Sequence, residues 1–193
     1  MPETTIDGDA VNSVTIDGDE VTEITVDGDV VFITKDHLYN EGDKEDDWEP
    51  YVQVEGSDGE AIYSKESDHL YLKADDQTDS DLTGVNVEVQ WNTIQQVDLS
   101  GVNSIKFRLD INLEETEDGD TRVWFGYDTD PGGRGEWDWE YSEMHDDEET
   151  NFTYTLDVSG ASSSYHVIIS ADTRGNFGAE AHTGVLLYEV WMD

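Results

Sequence analysis

The sequence predicts an all-β protein: a short N-terminal β-meander built on a repeat, followed by an antiparallel β-sandwich of the jelly-roll kind. Three observations carry this expectation. Apolar and polar residues alternate with period two, most clearly in Ile105-Lys106-Phe107-Arg108-Leu109-Asp110-Ile111. Gly, Asp, Asn and Ser clusters punctuate the chain at short intervals, and no long stretch with helical period competes. The 193 residues include 9 Tyr, 6 Trp and 5 Phe, which is enough apolar material for one core despite the charge.

The first 34 residues hold three near-copies of a ten-residue unit, beginning at Thr5, Thr15 and Thr25. Asp7, Asp17 and Asp27 are each followed by Gly and a second Asp. Asp-Gly favours a tight turn, because Gly takes positive φ without a clash and Asp hydrogen-bonds locally. Segments such as Glu20-Val-Thr-Glu-Ile-Thr-Val26 between the turns favour strand, so residues 1–34 are expected to form four short strands. A unit this small buries too little apolar surface to stand alone. It is expected to dock on copies of itself, a trimer being favoured, or on a larger particle. Turn chemistry is the default reading of the Asp-Gly-Asp triplets and calcium binding the alternative, although no twelve-residue calcium loop with a distal Glu follows them.

Residues 35–50 contain the acid-rich run Glu41-Gly-Asp-Lys-Glu-Asp-Asp-Trp48 and read as a linker. The sandwich is expected over 51–193, with strands at 51–55, 60–65, 68–74, 85–91, 104–111, 121–127, 151–157, 164–171 and 184–192. Val123, Phe125 and Tyr127 share one face of their segment, as do Phe152, Tyr154 and Leu156.

Against 48 Asp and Glu stand only 9 Lys and Arg, a formal charge of −39. That balance excludes general electrostatic binding to nucleic acid or to an anionic membrane. No apolar run of about 18 residues is present to span a bilayer, and MPETTIDGDA lacks the regions of a secretory signal. There is no cysteine, hence no disulfide or thiolate metal site. The acids are spread over turns, strand faces and loops. Like charges at this density destabilise a compact chain in dilute salt, whereas at about 1 M salt the Debye length falls to roughly 3 Å and screens them. The composition resembles that of proteins from extreme halophiles, haloarchaea and their viruses, and a high-salt extracellular setting is expected. An acidic, calcium-loaded extracellular protein is the alternative.

The segment Val14-Thr-Ile-Asp-Gly-Asp-Glu-Val-Thr-Glu-Ile-Thr-Val-Asp-Gly-Asp-Val-Val31 resembles the N-terminal repeats of virion proteins from haloarchaeal viruses. That resemblance implies a mount on other virion proteins and a separate distal domain. The second half resembles carbohydrate-binding modules with a galactose-binding-like jelly roll. The likeness rests on Val97-Asp-Leu-Ser-Gly-Val-Asn-Ser-Ile-Lys-Phe-Arg-Leu109, Thr155-Leu-Asp-Val-Ser-Gly160 and the closing Gly184-Val-Leu-Leu-Tyr-Glu-Val-Trp191. It implies a glycan-binding sandwich, with calcium as the customary ion of such modules.

Alternation places Lys106, Arg108, Arg122 and Trp124 on outer faces, with His166 and Trp191 similarly disposed. Aromatic rings stack on sugars while charged groups bond their hydroxyls, so these residues form one candidate ligand face. The competing reading pairs the cations with neighbouring acids and packs Trp124 under a loop. A second candidate is the loop from Asp128 to Tyr141, where Trp137, Trp139 and Tyr141 alternate. Its competing reading is a hairpin whose aromatics cover the sandwich edge. Asp128 and Asp130 are the candidate cation ligands. No nucleophile, zinc, phosphate or dinucleotide motif is present, and His37, His69, His145, His166 and His182 are dispersed. A binding role is therefore expected, not catalysis.

The reading that joins these features is a structural virion protein of a haloarchaeal tailed virus, either a tail-fibre or baseplate adhesin or a capsid spike or decoration. Its sandwich would meet host-surface glycan or glycoprotein. A secreted haloarchaeal carbohydrate-binding module and a ligand-free decoration subunit are the alternatives. Deleting residues 1–34 is expected to leave a folded domain that no longer self-associates. Sedimentation in molar salt tests this, and unchanged assembly would refute the docking role.

Overall fold

In the computed structural model, residues 15–16, 19–20, 23–26, 29–33, 36–55, 59–76, 85–115, 119–130, 139–175 and 181–193 are described. The chain forms two units, Met1–Asp36 and His37–Asp193. In the first, β1 (Thr15–Ile16) pairs antiparallel with β2 (Asp19–Glu20), and β3 (Glu23–Val26) with β4 (Asp29–Ile33). Asp17-Gly18 and Asp27-Gly28 separate the members of each pair, where the repeat places them. The first copy of the repeat, with Asp7, lies outside the described residues.

The second unit is the expected β-sandwich, and no α-helix occurs among the described residues. Its strands are β5 (Asp36–Asn40), β6 (Trp48–Glu55), β7 (Gly59–Lys65), β8 (Leu70–Asp76), β9 (Val85–Thr93), β10 (Val97–Asp98), β11 (Ser104–Glu115), β12 (Gly119–Asp128), β13 (Tyr141–His145), β14 (Glu149–Asp157), β15 (Ser164–Gly175) and β16 (Ala181–Met192). One sheet runs β14-β11-β16-β8-β7, with β5 also on β16; the other runs β13-β12-β15-β9-β6, with β10 also on β15. The neighbours along both strand orders pair antiparallel, so jelly-roll connections can cross between sheets without helices. Pro50, which cannot donate to a ladder, sits on β6 at a sheet edge.

Of residues 35–50, read from the sequence as linker, 37–50 are instead built into this unit. Leu38 packs on the core, Tyr39 and Trp48 are fully buried, and the Trp48 indole donates to the Leu38 carbonyl at 3.0 Å. Acidic composition hid these two anchors. β13 and β10, too short to show a period, were likewise not foreseen.

The core follows the alternation. Ile105, Phe107, Leu109 and Ile111 from one sheet meet Val123, Phe125, Val167, Ile169 and Ala171 from the other, all buried. Phe107 and Phe125 lie 5.0 Å apart between ring centroids, and Tyr154 stacks on Phe125 at 3.9 Å. Truncating such a ring to Ala costs about 3–5 kcal/mol, through lost burial and the cavity left behind.

One irregularity shapes the outer surface. Against β11, Arg108 faces Glu189 but Leu109 faces Leu187, so Tyr188 is an extra residue in β16. Leu187 and Val190 both remain in the core. The Tyr188 hydroxyl therefore reaches Asp110 at 2.8 Å, while Glu189 accepts from Arg108 Nε at 3.0 Å.

At the opposite edge Tyr141 and Tyr154 both donate to Glu143, which thereby joins β13 of one sheet to β14 of the other. The hydrogen bond to this carboxylate, with burial, pushes the Tyr141 phenol up to about 12. Burial, and then the bond to Asp110, pushes Tyr188 up to about 12. Burial also raises Tyr39 to about 12, against the opposing Gly42 N–H bond. Unfolded tyrosines titrate near ~10. Between those values the folded chain holds more protons than the unfolded one, so these groups stabilise fully below pH ~10 and lose that contribution as pH rises toward ~12. Thermal midpoints in molar salt are expected to fall steeply from pH ~9.5 to ~11.5, and Tyr188→Phe should shallow the drop. A midpoint that stays level across that range would contradict these assignments.

Candidate functional site

The outer face of the β14-β11-β16-β8-β7 sheet holds a groove of about 560 Å³, within the range of small-ligand sites. Its polar lining begins with the alternation of β11. Since Leu109 and Ile111 turn inward, Asp110 and Asn112 turn outward. On β16 the register sets Gly184 beside Asn112 and Leu186 beside Asp110. On β8, Tyr71 lies next to Leu186. The turn into β14 supplies Glu148, Glu149 and Thr150 as one wall.

Gly184 leaves the floor without a side chain. A Cβ there would meet nothing nearer than the Asn112 carbonyl oxygen at 3.7 Å, so the backbone does not require glycine, yet any larger residue would project into the groove. Tyr71 offers a half-buried ring, and its carbonyl accepts the Trp91 indole N–H at 3.1 Å, anchoring that part of β8 to the core. Asp110 is fixed from two sides: one carboxylate oxygen accepts the Asn151 N–H at 2.6 Å, the other the Tyr188 hydroxyl. Asn112 Nδ2 lies 3.3 Å from His182 Nε2. The site thus combines an aromatic surface, an oriented carboxylate, a carboxamide and an open floor.

The structure separates the sequence-predicted ligand residues. Lys106 and Arg108 face outward from β11, whereas Arg122 and Trp124 face outward from β12, on the opposite side of the sandwich. Lys106 pairs with Asp193, and Arg108 lies between Glu41 and Glu189 and 5.2 Å from the Tyr188 ring. Arg122 pairs with Asp120 and Asp172 and is buried. His166 bonds the Thr93 carbonyl at 2.6 Å. Trp191 sits beside Lys106 with its ring 6.5 Å from His37, which contacts Glu189 at 2.5 Å. These cations are engaged by the chain's own acids and do not converge.

Trp124 is not exposed but 7% accessible, in a small apolar cluster with Trp139 and Ile168. Gly126 permits this packing, because a Cβ there would lie 2.7 Å from the Trp139 ring and closer still to the Tyr141 carbonyl oxygen. Tyr141 opens β13 and stacks on Tyr127 at 5.5 Å; Trp137 lies outside the described residues. Asp128 is 2% accessible, and its two carboxylate oxygens accept the backbone N–H groups of Asp130 at 2.7 Å and Glu140 at 2.9 Å. It therefore pins both ends of the loop, while Asp130 is exposed. Among the described residues no three His, Asp or Glu side chains converge as a metal centre.

The groove residues were not singled out from the sequence, although extending the β11 alternation by one turn of the pleat would have flagged Asp110 and Asn112. Gly184, Tyr71 and Glu149 join them only through strand pairing, which has no local signal.

No protein-family model and no curated protein matches the chain. Among solved structures it is similar to the enzymatically active domain of tailspike protein 4 of bacteriophage CBA120, at 9% identity and TM-score 0.42 over 76% of this chain. The chain spans 19% of that tailspike chain. It is also similar to the low-affinity xylan-binding module CBM86 of Roseburia intestinalis, at 12% identity and TM-score 0.36 over 74% of this chain and 95% of that one. A third is TmCBM61 in complex with β-1,4-galactotriose, at 11% identity and TM-score 0.34 over 75% of this chain and 87% of that one.

Replacing Gly126 by Ala is expected to push both the Tyr141 backbone and Trp139 off β12 and destabilise the sandwich by about 1–3 kcal/mol, as overpacking does. Tryptophan emission should shift to the red at the same time. Unchanged emission and stability would place Trp139 elsewhere.

Proposed function

We propose that this chain is a non-catalytic glycan-binding β-sandwich that holds its ligand in the groove formed by Tyr71, Asp110, Asn112, Glu149 and Gly184. The observation that carries the reading is the bare floor at Gly184 beside a half-buried tyrosine ring and an oriented carboxylate. A sugar ring presents an apolar face to an aromatic surface and hydroxyls to acceptors and amides at its rim, and this groove offers both. The two bonds that fix Asp110 suit it to orienting a ligand hydroxyl.

In the fuller reading, residues 1–34 mount the protein on a haloarchaeal virion as a homo-oligomer, with the sandwich facing the glycosylated host surface in high salt. The repeat and the evenly spread acid support that placement.

Gly184→Val fills the groove without touching the core, and Tyr71→Ala removes the ring. Each is expected to weaken binding to responsive oligosaccharides by at least about tenfold, or ~1.4 kcal/mol. Calorimetry in molar KCl reads this, with thermal midpoints near that of the parent chain. Lys106→Ala, outside the groove, should bind normally. Equal affinity in all three variants would reject the groove.

A further inference from the structure

Resting on that reading of the groove, we infer that its ligand is a glycan free of carboxylate, sulfate and phosphate groups, and that the wall Glu148–Glu149 enforces this choice. The lining carries three carboxylates, Asp110, Glu148 and Glu149, and no Lys or Arg. Its remaining side-chain hydrogen-bonding groups are neutral: the Tyr71 hydroxyl, the Asn112 amide and the Thr150 hydroxyl.

The cations nearest in the fold are engaged elsewhere. Lys73, which neighbours Gly184 across the ladder, bonds Asp75 at 2.7 Å. Arg108 is held between Glu41 and Glu189, and His182 lies 3.8 Å from Glu114. His145 Nε2 stands 4.0 Å from Glu149 and does not line the groove. An ionised sugar entering this space meets like charge from the floor and from the wall and finds no positive partner. A polyol instead supplies the O–H donors that carboxylates accept, and an amino sugar adds a favourable charge.

Floor and wall act differently. Asp110 is tied to Asn151 and Tyr188 and belongs to the binding floor, whereas Glu148 is exposed at the rim and acts on ligand charge. Exclusion of anions is thus separable from binding itself. It is also a salt-dependent property, since the effect of an exposed charge shrinks as the Debye length falls from about 10 Å at 0.1 M to about 3 Å at 1 M.

The experiment uses the full chain and three matched oligosaccharide sets: neutral hexose oligomers, their 2-amino counterparts and their uronic acids. Affinities are measured by calorimetry from the lowest KCl concentration that keeps the chain folded up to 3 M. The neutral and amino sets are expected to bind, and the uronic set to bind at least about tenfold more weakly at the low-salt end. That gap should narrow with salt and close in Glu148→Gln/Glu149→Gln, read as the ratio of neutral to uronic affinity within that variant. Uronic acids binding as tightly as neutral oligomers would overturn the inference while leaving the groove intact. A gap that ignores both salt and the double substitution would overturn it too, by assigning selectivity to shape. If no set binds, or if Gly184→Val leaves binding unaltered, the groove reading fails first and the inference falls with it.

Discussion

Every polar group that β11 presents to solvent owes its position to the four side chains that β11 gives to the core. Ile105, Phe107, Leu109 and Ile111 are drawn between the sheets, where Phe107 and Phe125 form part of the contact between the two layers. A pleated strand offers only two directions, so Lys106, Arg108, Asp110 and Asn112 must point the other way. The groove is consequently a product of core packing in one sheet. Pairing is irregular on both sides of Asp110: the extra residue at Tyr188 in β16 lets a phenol lock it in place, and the ladder with β14 shifts between Leu109 and Ile111.

Charge imposes a second condition. Lys65, Lys73, Lys106, Arg108, Arg122 and Arg174 each lie against a carboxylate. Among the described residues these six cations therefore hold strands and turns together through the chain's own acids. Arg122, Arg174 and Asp172 meet on the outer face of the other sheet, where Glu88, Gln90 and Ser170 are also buried and joined by hydrogen bonds. The two outer faces thus differ in kind: one is filled by its own side chains, the other keeps an opening.

The all-β class, the repeat and the inward faces of β11, β12 and β14 were legible because each is written in neighbouring residues. The partition of strands between sheets was not. β11 and β12 follow one another in the chain, yet β11 pairs with β14 and β16 while β12 pairs with β13 and β15. Nothing in either segment states this, so Lys106 and Arg122 read as neighbours when they lie on opposite sides. Burial by distant segments was hidden for the same reason. Trp124 reads as exposed until Trp139 covers it, and Tyr39 and Trp48 read as linker until the core claims them.

Asp128 does more for the junction of β12 with β13 than its sequence announces. With one carboxylate accepting from Asp130 and from Glu140, the chain leaves and re-enters the sandwich at the same anchored point. Without that carboxylate, two backbone N–H groups would lose their acceptor beside a buried position, so the joining of β12 to β13 rests on a single side chain.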